Sequence, residues 1–262
     1  MKEENQISVI IPVFQADEIF LRRAMQSVAN QLVQPDCTIL VVKKGSNDLK
    51  LVEKLTKEVT GPNYEIIINE GNTNFQAQLN LGVKECKTDW FIFLEQDDEL
   101  ARIWVKNVIE YREDQPNVSL FLPMILDVTP EDHFLNFTNE AVWASQFSDE
   151  LGILDNAALL RYQNFNIDGM AVLKEVYEEY GGLKESIKLS FIYEFLLRMT
   201  HNPCRVMVIP KLAYKHVNER KGSLWDTYKK ELSIDESRWW LSLAKKECYH
   251  VDDRNILYEK KE

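Results

Sequence analysis

The first hundred residues alternate short apolar runs with longer segments that mix apolar and polar positions. The apolar runs are rich in β-branched side chains, which predicts strands that are buried on both faces. These runs cover residues 7–14, 38–42, 64–68 and 90–94. Between them apolar side chains recur at helical spacing, as at Phe75, Leu79, Val83 and Cys86, where Asn74 is placed to cap a helix.

This alternation of buried strands and amphipathic helices predicts an α/β fold with helices on both faces of a mostly parallel central sheet. Such sheets bind their ligands at the carboxyl ends of the strands. The fourth run, WFIFLEQDDE from Trp90 to Glu99, places a cluster of acids at that end. A functional site is therefore expected directly after Leu94.

The second half of the chain is less regular. It predicts a strand at 119–128, helices at 172–180 and 192–200, a short strand at 205–209 and a final helical region at 224–247. Residues 129–163 mix acids and aromatics without a clear element. Long segments of this kind inside a domain are usually functional, so we expect a lid or a substrate wall there.

The composition is that of a globular chain with a full core. The chain has 262 residues, 45% of them hydrophobic, and a net charge of −11. This balance lacks the basic footprint of a nucleic-acid-binding protein, so an anionic substrate would need a local device such as a metal ion or a helix N-terminus. The four cysteines match no metal-ligand spacing, and we expect reduced thiols in a cytoplasmic protein.

No apolar run is long enough to predict a membrane span. The longest nearly uncharged run covers residues 118–126, whereas about 20 residues are needed to cross a bilayer. The first residues, MKEENQ, do not have the layout of a signal peptide. We expect a cytoplasmic protein without a transmembrane segment, with room for peripheral contact at the inner face of the membrane.

The acids of the fourth run are close enough to disturb one another. On an extended strand, Glu95 and Asp97 would share a face and Asp98 would point away. A turn after Gln96 would instead bring Asp97 and Asp98 to one point. Carboxylates this close raise one another's pKa, and Mg²⁺ or Mn²⁺ removes that conflict. The alternative is a solvated acidic turn that starts the next helix.

Six segments carry a specific order of motifs. They are ISVIIPVF, LRRAMQSVANQ, LVVKKGSND, NFQAQLNLGVKECKTDWFIFLEQDD, IDGMAVLKEVYEEYGGL and IPKLAYKHVNERKGSL. Together they resemble the inverting family 2 glycosyltransferases of the GT-A fold, over roughly residues 6–223, and the fourth segment is most similar to the rhamnosyltransferase-like subgroup. The resemblance implies a GT-A-type, Rossmann-like domain at 1–223, with a donor half at about 1–100 and an acceptor half at about 101–223, and a C-terminal helical extension at 224–262.

The resemblance implies transfer of a hexose or deoxyhexose, with inversion, from a nucleoside-diphosphate sugar to a glycan or lipid-linked acceptor hydroxyl. Such a reaction builds a surface polysaccharide or another glycan. Asp97 and Asp98 match the family's DxD-type carboxylates, which hold Mn²⁺ or Mg²⁺ and the donor's ribose and diphosphate. Pro12, Val13 and Phe14 match the loop that packs on the nucleotide base.

Two segments depart from the family pattern on the donor side. After the second strand the family reads VDDGS, and its Asp contacts the base, but here Lys43 and Lys44 stand before Gly45 and Ser46. Lys44 could approach a phosphate instead, or both lysines could be solvated loop residues. The family's ARN triplet is QLN at 78–80, where the leucine continues the apolar stripe and is expected to pack.

The expected catalytic base is a third departure. Inverting transfer needs a group that takes the acceptor proton. The family often has an ED pair about six residues before an arginine, and counting back from Arg198 reaches Phe191 and Ile192. Glu194, the nearest acid, would be the base in an extended segment or would pair with Arg198 at i+4 in a helix. Asp168 is the second candidate for the base.

Two further features complete the expectations. His216 and Arg220 lie where the family often has a residue close to the donor phosphates, although a lone histidine is commonly structural. Trp239 and Trp240 predict either a helix that touches a membrane or lipid-linked acceptor, or a helix packed on the domain. The departures keep open a glycosyltransferase-like binding module with reduced or lost catalysis, whereas a nucleotidyltransferase would need a phosphate loop that is missing near the N-terminus.

Overall fold

The computed structural model describes residues 6–143, 150–218, 220 and 233–248, with only the backbone described at Cys248. The strands are β1 Ile7–Val13, β2 Cys37–Lys43, β3 Tyr64–Asn69, β4 Trp90–Phe93, β5 Glu99–Leu100, β6 Leu120–Val128, β7 Phe134–Thr138, β8 Ile153–Leu154, β9 Ala171–Leu173 and β10 Val206–Val217. The helices are α1 Glu18–Ala29, α2 Asn47–Glu58, α3 Phe75–Glu85, α4 Trp104–Asp114, α5 Asn156–Arg161, α6 Lys174–Glu179, α7 Phe191–His201 and α8 Ile234–Cys248.

Strands β1 to β4 lie side by side and parallel, in the order β3-β2-β1-β4. Helices α1, α2 and α3 connect them. Each of these helices begins after a polar side chain that accepts hydrogen bonds from its first turn, namely Asp17, Ser46 and Asn74. The four strands predicted for this part of the chain, and the cap at Asn74, are confirmed.

Beyond β4 the sheet is mixed. Strand β9 runs antiparallel between β4 and β6, and β10 runs parallel to β6. The short strands β5 and β8 pair antiparallel with β10, and β7 pairs antiparallel with β6. Register shifts interrupt β10 on both sides of Leu212, and β5 pairs beyond them with Tyr214 and Lys215. The last residues of β10 thereby lie beside the acidic segment that follows β4.

Several predictions for the second half need correction. The described part of 129–163 is not irregular, because it contains β7, a 3-10 turn at Ala141–Trp143, β8 and α5. The helix predicted to begin at residue 172 begins at Lys174, after β9. Strand β10 reaches Val217 instead of ending at 209. Short strands whose partners are distant in sequence leave little periodic signal, which explains these errors.

Helices cover both faces of the sheet. Ile10 of β1 packs in a core with Leu79 of α3, together with residues of α5, α6 and α7. The next side chain, Ile11, enters the opposite core with residues of α1, α2 and α4. Successive strand side chains point to opposite faces, so a continuous apolar strand fills both cores. The predicted α/β fold with a helix-flanked central sheet is confirmed.

Helix α8 packs against α7. Its Ala244 is buried, and the hydroxyl of Ser190 donates a hydrogen bond to the carbonyl of Trp240 at 2.6 Å. These contacts support the interpretation of a packed helix, although the side chain of Trp239 is 57% exposed. None of the described helices is long and apolar enough to cross a membrane. Residues 224–232 lie outside the described part, and the division at 223/224 stays a prediction.

Candidate functional site

The acidic segment turns directly after β4 and is held by the end of β10. Asp98 is fully buried, and its Oδ2 accepts a hydrogen bond from the hydroxyl of Tyr214 at 2.8 Å. Its Oδ1 accepts one from the backbone N–H of Val217 at 2.8 Å. The same Tyr214 hydroxyl accepts from the N–H of Glu95 at 3.1 Å. Strand β10 thus fixes both ends of the turn, a contact that the sequence pattern did not predict.

Asp97 and Asp98 have different partners. The Oδ2 of Asp97 accepts a hydrogen bond from Nε of Arg220 at 2.6 Å. Asp98 instead groups with Asp168 and His216, and one ligand atom from each of these three lies within 4.8 Å of the others. The described contacts therefore group Asp98 with residues far away in sequence, and the prediction that Asp97 and Asp98 hold a metal together stays a prediction.

Asp168 is placed by a tight turn. Gly169 follows it with φ of +74°, and a Cβ there would lie 2.6 Å from the ring of Tyr214, so glycine is required. Asp168 is 1% exposed, and the side-chain amide of Asn166 donates to its Oδ2. Its Oδ1 is buried without a donor among the described residues. The charge of Asp168 also helps to raise the pKa of Glu95, after the larger effect of burial.

His216 is oriented from behind. Its Nδ1 lies 2.7 Å from Oδ1 of Asp127, and the other oxygen of Asp127 accepts a hydrogen bond from the hydroxyl of Thr138 at 2.7 Å. With Nδ1 bound to Asp127, Nε2 is the ring nitrogen left for a ligand. The sequence offered a signal for Asp127 that was not used, because it is a single acid near the end of an apolar strand.

The site buries more negative than positive charge. Burial raises the pKa of Asp98 to about 7 and that of Asp168 to about 6, and it raises the pKa of Glu95 well above its usual range. Repulsion from neighbouring carboxylates adds to these shifts. Burial alone would lower the pKa of His216, but Asp98 and the other carboxylates around it raise that pKa to about 11. A proton or a cation is needed here to balance the charge.

The donor set fits a divalent cation. The cluster offers two carboxylate groups and one imidazole, and the unpartnered Oδ1 of Asp168 is an acceptor left for a cation or a proton. Carboxylates suit Mg²⁺ and Mn²⁺ alike, whereas an imidazole ligand favours the transition metal. The arrangement is therefore a candidate Mn²⁺ site in which Asp98 and His216 are ligands, with Asp168 beside them to hold a proton.

The loop after β1 exposes one of its three predicted ligand-binding side chains. Pro12 and Val13 are buried in β1, whereas the ring of Phe14 is 44% exposed. The side-chain amide of Gln96 accepts from the N–H of Phe14 and donates to its carbonyl, both at 2.8 Å. The acidic turn thus holds the backbone of the loop that carries this exposed ring.

Lys44 and Glu194 lie in other networks. Lys44 is largely exposed and forms an ion pair with Glu70 at 2.6 Å. Glu194 is fully buried, and its carboxylate receives hydrogen bonds from Nε and Nη2 of Arg198 at 2.7 and 2.9 Å. The partners described for Glu194 are Arg198 and Lys184, and neither belongs to the acidic site. The ion pair at i+4, one of the two predictions for Glu194, is present.

An aromatic ring occupies the position where the resemblance implies a pair of acids. The rings of Phe191 and Phe75 are 5.6 Å apart, and the ring of Phe75 lies 5.2 Å from that of Phe93 in β4. This position therefore packs apolar groups against the strand that leads into the acidic turn. A base must come from elsewhere in the site if the chain is a catalyst.

Comparison with known proteins supplies the family. Residues 8–181 match the family model described as glycosyl transferase family 2. An uncharacterized glycosyltransferase of Haemophilus influenzae is 25% identical over 180 residues, which are 58% of this chain and 57% of that protein. The chain thus spans little more than half the length of this relative. The match confirms the resemblance read from the motifs, while the rhamnosyltransferase-like subgroup stays a prediction.

Solved structures share the fold. The structure of S. aureus TarS 1-349 with UDP-GlcNAc has a TM-score of 0.69 and 15% identity, over 91% of this chain and 65% of that one. The mannosyltransferase PcManGT of Pyrobaculum calidifontis, in complex with GDP-Man and Mn²⁺, has a TM-score of 0.61 and 10% identity, over 94% and 70%. At these identities the likeness concerns the fold, and it confirms the expected architecture.

Proposed function

The chain belongs to glycosyl transferase family 2, and we propose that it moves a sugar from a nucleoside-diphosphate sugar to an acceptor hydroxyl, with inversion. The observation that carries this proposal is the grouping of Asp98, Asp168 and His216 at the carboxyl end of β4. Parallel α/β sheets bind ligands at that edge. The same three residues leave an excess of buried negative charge, which the cation bound to a diphosphate donor would balance.

The donor would span from the loop after β1 to the acidic turn. The exposed ring of Phe14 offers a flat apolar face for a nucleobase, and Gln96 ties the backbone of Phe14 to the acidic turn. Two fold relatives were solved with UDP-GlcNAc and with GDP-Man, which supports a nucleoside diphosphate as the carrier. Arg220, bound to Asp97, is a cation at the turn that would meet a phosphate.

Asp98 and His216 are the residues that we assign to the cation, with Asp97 at the rim of the same turn. A bound Mn²⁺ would offset the negative charge that develops on the departing diphosphate. Asp127 holds the imidazole through Nδ1, so that Nε2 can bind. Tyr214 and the N–H of Val217 hold Asp98 in place. These partners pre-organise both ligands before any substrate enters.

We assign the proton transfer to Asp168. Its buried Oδ1 has no described donor, and burial raises its pKa to about 6, close to the pH at which a general base works best. The acceptor oxygen would bond to the anomeric carbon as the bond from that carbon to the diphosphate breaks, and Asp168 would take the hydroxyl proton. Glu194 has both carboxylate oxygens on Arg198, which argues against the same role for it.

The acceptor and setting follow from the resemblance alone. We propose a glycan or lipid-linked hydroxyl as acceptor, in polysaccharide synthesis, with the protein acting in the cytoplasm or at the inner face of the membrane. A second candidate function is a binding module without turnover. It is favoured by the aromatic packing of Phe191 at the position where the resemblance implies an acid.

A thermal-shift screen tests the donor site. UDP, GDP, TDP and CMP sugars would be added with and without Mn²⁺ to the parent chain, to Asp98→Asn and to the surface control Glu58→Gln. We expect one nucleotide to raise the melting point by about 5–10 °C at a hundredfold excess over Kd, because a ligand that binds only the native state stabilises it. The Mn²⁺-dependent part should vanish in Asp98→Asn and persist in Glu58→Gln.

Assays of hydrolysis and transfer with the nucleotide sugar found by this screen separate the two candidate functions. Slow, Mn²⁺-dependent hydrolysis of the bound sugar nucleotide would support the transferase. Tight binding with no hydrolysis and no transfer to any acceptor would support the binding module. A panel in which no nucleotide shifts the melting point would contradict both.

A further inference from the structure

The side chain of Gln96 connects two parts of the site that the backbone leaves apart. The ladder between β1 and β4 ends where the N–H of Leu94 donates to the carbonyl of Ile10 at 3.0 Å. The chains then diverge. Further on, the amide of Gln96 makes two hydrogen bonds of 2.8 Å with the N–H and carbonyl of Phe14, in the manner of a paired strand residue.

The loop that receives this amide has a second, separate anchor. Asp48, in the first turn of α2, accepts hydrogen bonds from the N–H groups of Gln15 and Ala16, both at 3.0 Å. Gln15 has φ of +48°, in the left-handed region, so that the two adjacent amides point towards one carboxylate. Asp48 therefore fixes the shape of the loop, whereas Gln96 fixes its position relative to the acidic turn.

The other end of the connection is the turn itself. Gln96 lies between Glu95 and Asp97 in the chain. Asp98, which follows Asp97, is held by β10. Strand β10 holds Asp98, but repulsion among the unbalanced carboxylates should leave the residues beside it less ordered until a cation or protons balance the charge. Such a loss of order reaches the backbone of Gln96, and with it the side-chain amide that is hydrogen-bonded to Phe14. The side chain of Gln96 thus links cation occupancy of the acidic site to the geometry of the loop after β1.

We propose that Gln96 is a positioning residue that couples cation binding at the acidic turn to recognition of a nucleobase by the loop at Phe14. The coupling rests on the proposed function for both of its ligands, the cation at the acidic turn and the nucleobase at the loop. It requires that a cation improve the binding of a base even when the ligand has no phosphate to bridge the two. Pre-ordering a loop before the ligand arrives removes part of the ordering cost of binding.

Nucleosides provide the test, because they lack the diphosphate that would contact the cation directly. Affinities for uridine, thymidine, cytidine and guanosine would be measured by equilibrium dialysis with and without Mn²⁺. In the parent chain we expect Mn²⁺ to raise the affinity for the preferred nucleoside about fivefold, at the low end of couplings between sites. In Gln96→Met, which keeps the length of the side chain but loses the amide, the ratio should fall to about one.

Asp48→Asn is the matched control. It weakens the other anchor of the same loop, so it should lower nucleoside affinity with and without Mn²⁺ alike and leave the fivefold ratio intact. An unchanged ratio in Gln96→Met, or no effect of Mn²⁺ on nucleoside affinity in the parent chain, would overturn the proposal. Both results would leave the transferase assignment standing.

Hydrogen exchange gives a readout that needs no nucleoside. The N–H of Phe14 donates to Gln96, so its exchange should slow on addition of Mn²⁺ alone in the parent chain and stay unchanged in Gln96→Met. The amides of Gln15 and Ala16, bound to Asp48, are internal controls. Failure of all nucleotides to bind would count against the proposed function. An exchange rate of the Phe14 N–H that does not change on addition of Mn²⁺ would count against this coupling.

Discussion

Among the described residues, two places that bury carboxylates almost completely balance the negative charge in opposite ways. Glu194 meets the guanidinium of Arg198 through two hydrogen bonds, and Lys184 lies 3.4 Å from the same carboxylate. At the end of β4, Asp98 and Asp168 are buried with Glu95 nearby, and His216 is the cation grouped with them. The first group is balanced within the fold and the second is not.

The difference separates a structural charge from a functional one. A buried ion pair with its hydrogen bonds satisfied holds its neighbours in place, and here Arg198 also donates to the carbonyls of Gly182 and Tyr180. An under-compensated cluster costs stability unless a ligand balances it, so its persistence points to binding or catalysis. Burial alone does not distinguish the two cases, but the count of opposite charges does.

The largest expected effect is on turnover in Asp168→Asn. If Asp168 takes the acceptor proton, transfer should fall by about 10²–10⁴-fold, the usual contribution of a general base. Mn²⁺-dependent binding of the donor nucleotide should remain, because Asp98 and His216 are unchanged. Single-turnover kinetics and calorimetric titration measure the two quantities. Loss of Mn²⁺-dependent binding together with turnover would make Asp168 a ligand and break the assignment.

The next effect is on stability in Glu194→Gln. Removing one member of a buried pair leaves the charge of Arg198 uncompensated, and we expect a loss of about 3–5 kcal/mol in the free energy of unfolding. Denaturant unfolding measures this loss, and the double variant Glu194→Leu with Arg198→Leu should lose less than the two single variants added together. Nucleotide affinity of the folded fraction should not change. A transferase defect in folded Glu194→Gln would restore Glu194 as a candidate base.

The sequence predicted the regular elements of the fold better than the contacts within the acidic site. The strands and helices up to Phe93 repeat local patterns, so periodicity and caps such as Asn74 were enough to predict them. The acidic turn was found because charge follows an apolar run. The partners of that turn could not be found in this way. Tyr214 lies on β10, Asp127 reaches the site because β6 pairs with β10, and Asp168 precedes β9, so their positions depend on pairings distant in sequence. Local patterns do not encode such pairings.

A smaller effect concerns pH in the metal-free protein. Asp98 has a pKa of about 7 in the fold against an ordinary value of 3.8, so its contribution to stability is full below that ordinary value and is lost as pH rises through 7. His216, with a pKa of about 11 against 6.5, loses its contribution as pH rises from 6.5 through 11. Both shifts predict lower stability at pH 9 than at pH 6.

Titration of Asp98 between pH 6 and 7 accounts for about 1 kcal/mol of the expected loss and that of His216 adds to it, because one group gives about 1.4 kcal/mol for each pH unit between its folded and unfolded pKa values. Chemical unfolding across this range checks it. Saturating Mn²⁺ or the substitution Asp98→Asn should flatten the slope, since each removes the uncompensated charge. If neither change affects the slope of stability against pH, the titrating groups lie outside this site. The contrast between the unbalanced acidic site and the balanced pair of Glu194 would then be weaker.

The smallest effect is expected for Lys44→Ala, which tests whether charge matters where water already balances it. The side chains of Lys44 and Glu70 are 68% and 67% exposed, so their ion pair should contribute less than about 1 kcal/mol to stability, in contrast to the buried pair of Glu194. If Lys44 also approaches a donor phosphate, nucleotide affinity should fall by a few-fold, and the loss should shrink as salt screens it. Calorimetric titration of the nucleotide at two ionic strengths measures both. A loss of nucleotide affinity of a hundredfold or more that does not depend on salt would show that Lys44 is desolvated on binding. Lys44 would then belong to the functional site and not to the solvated surface.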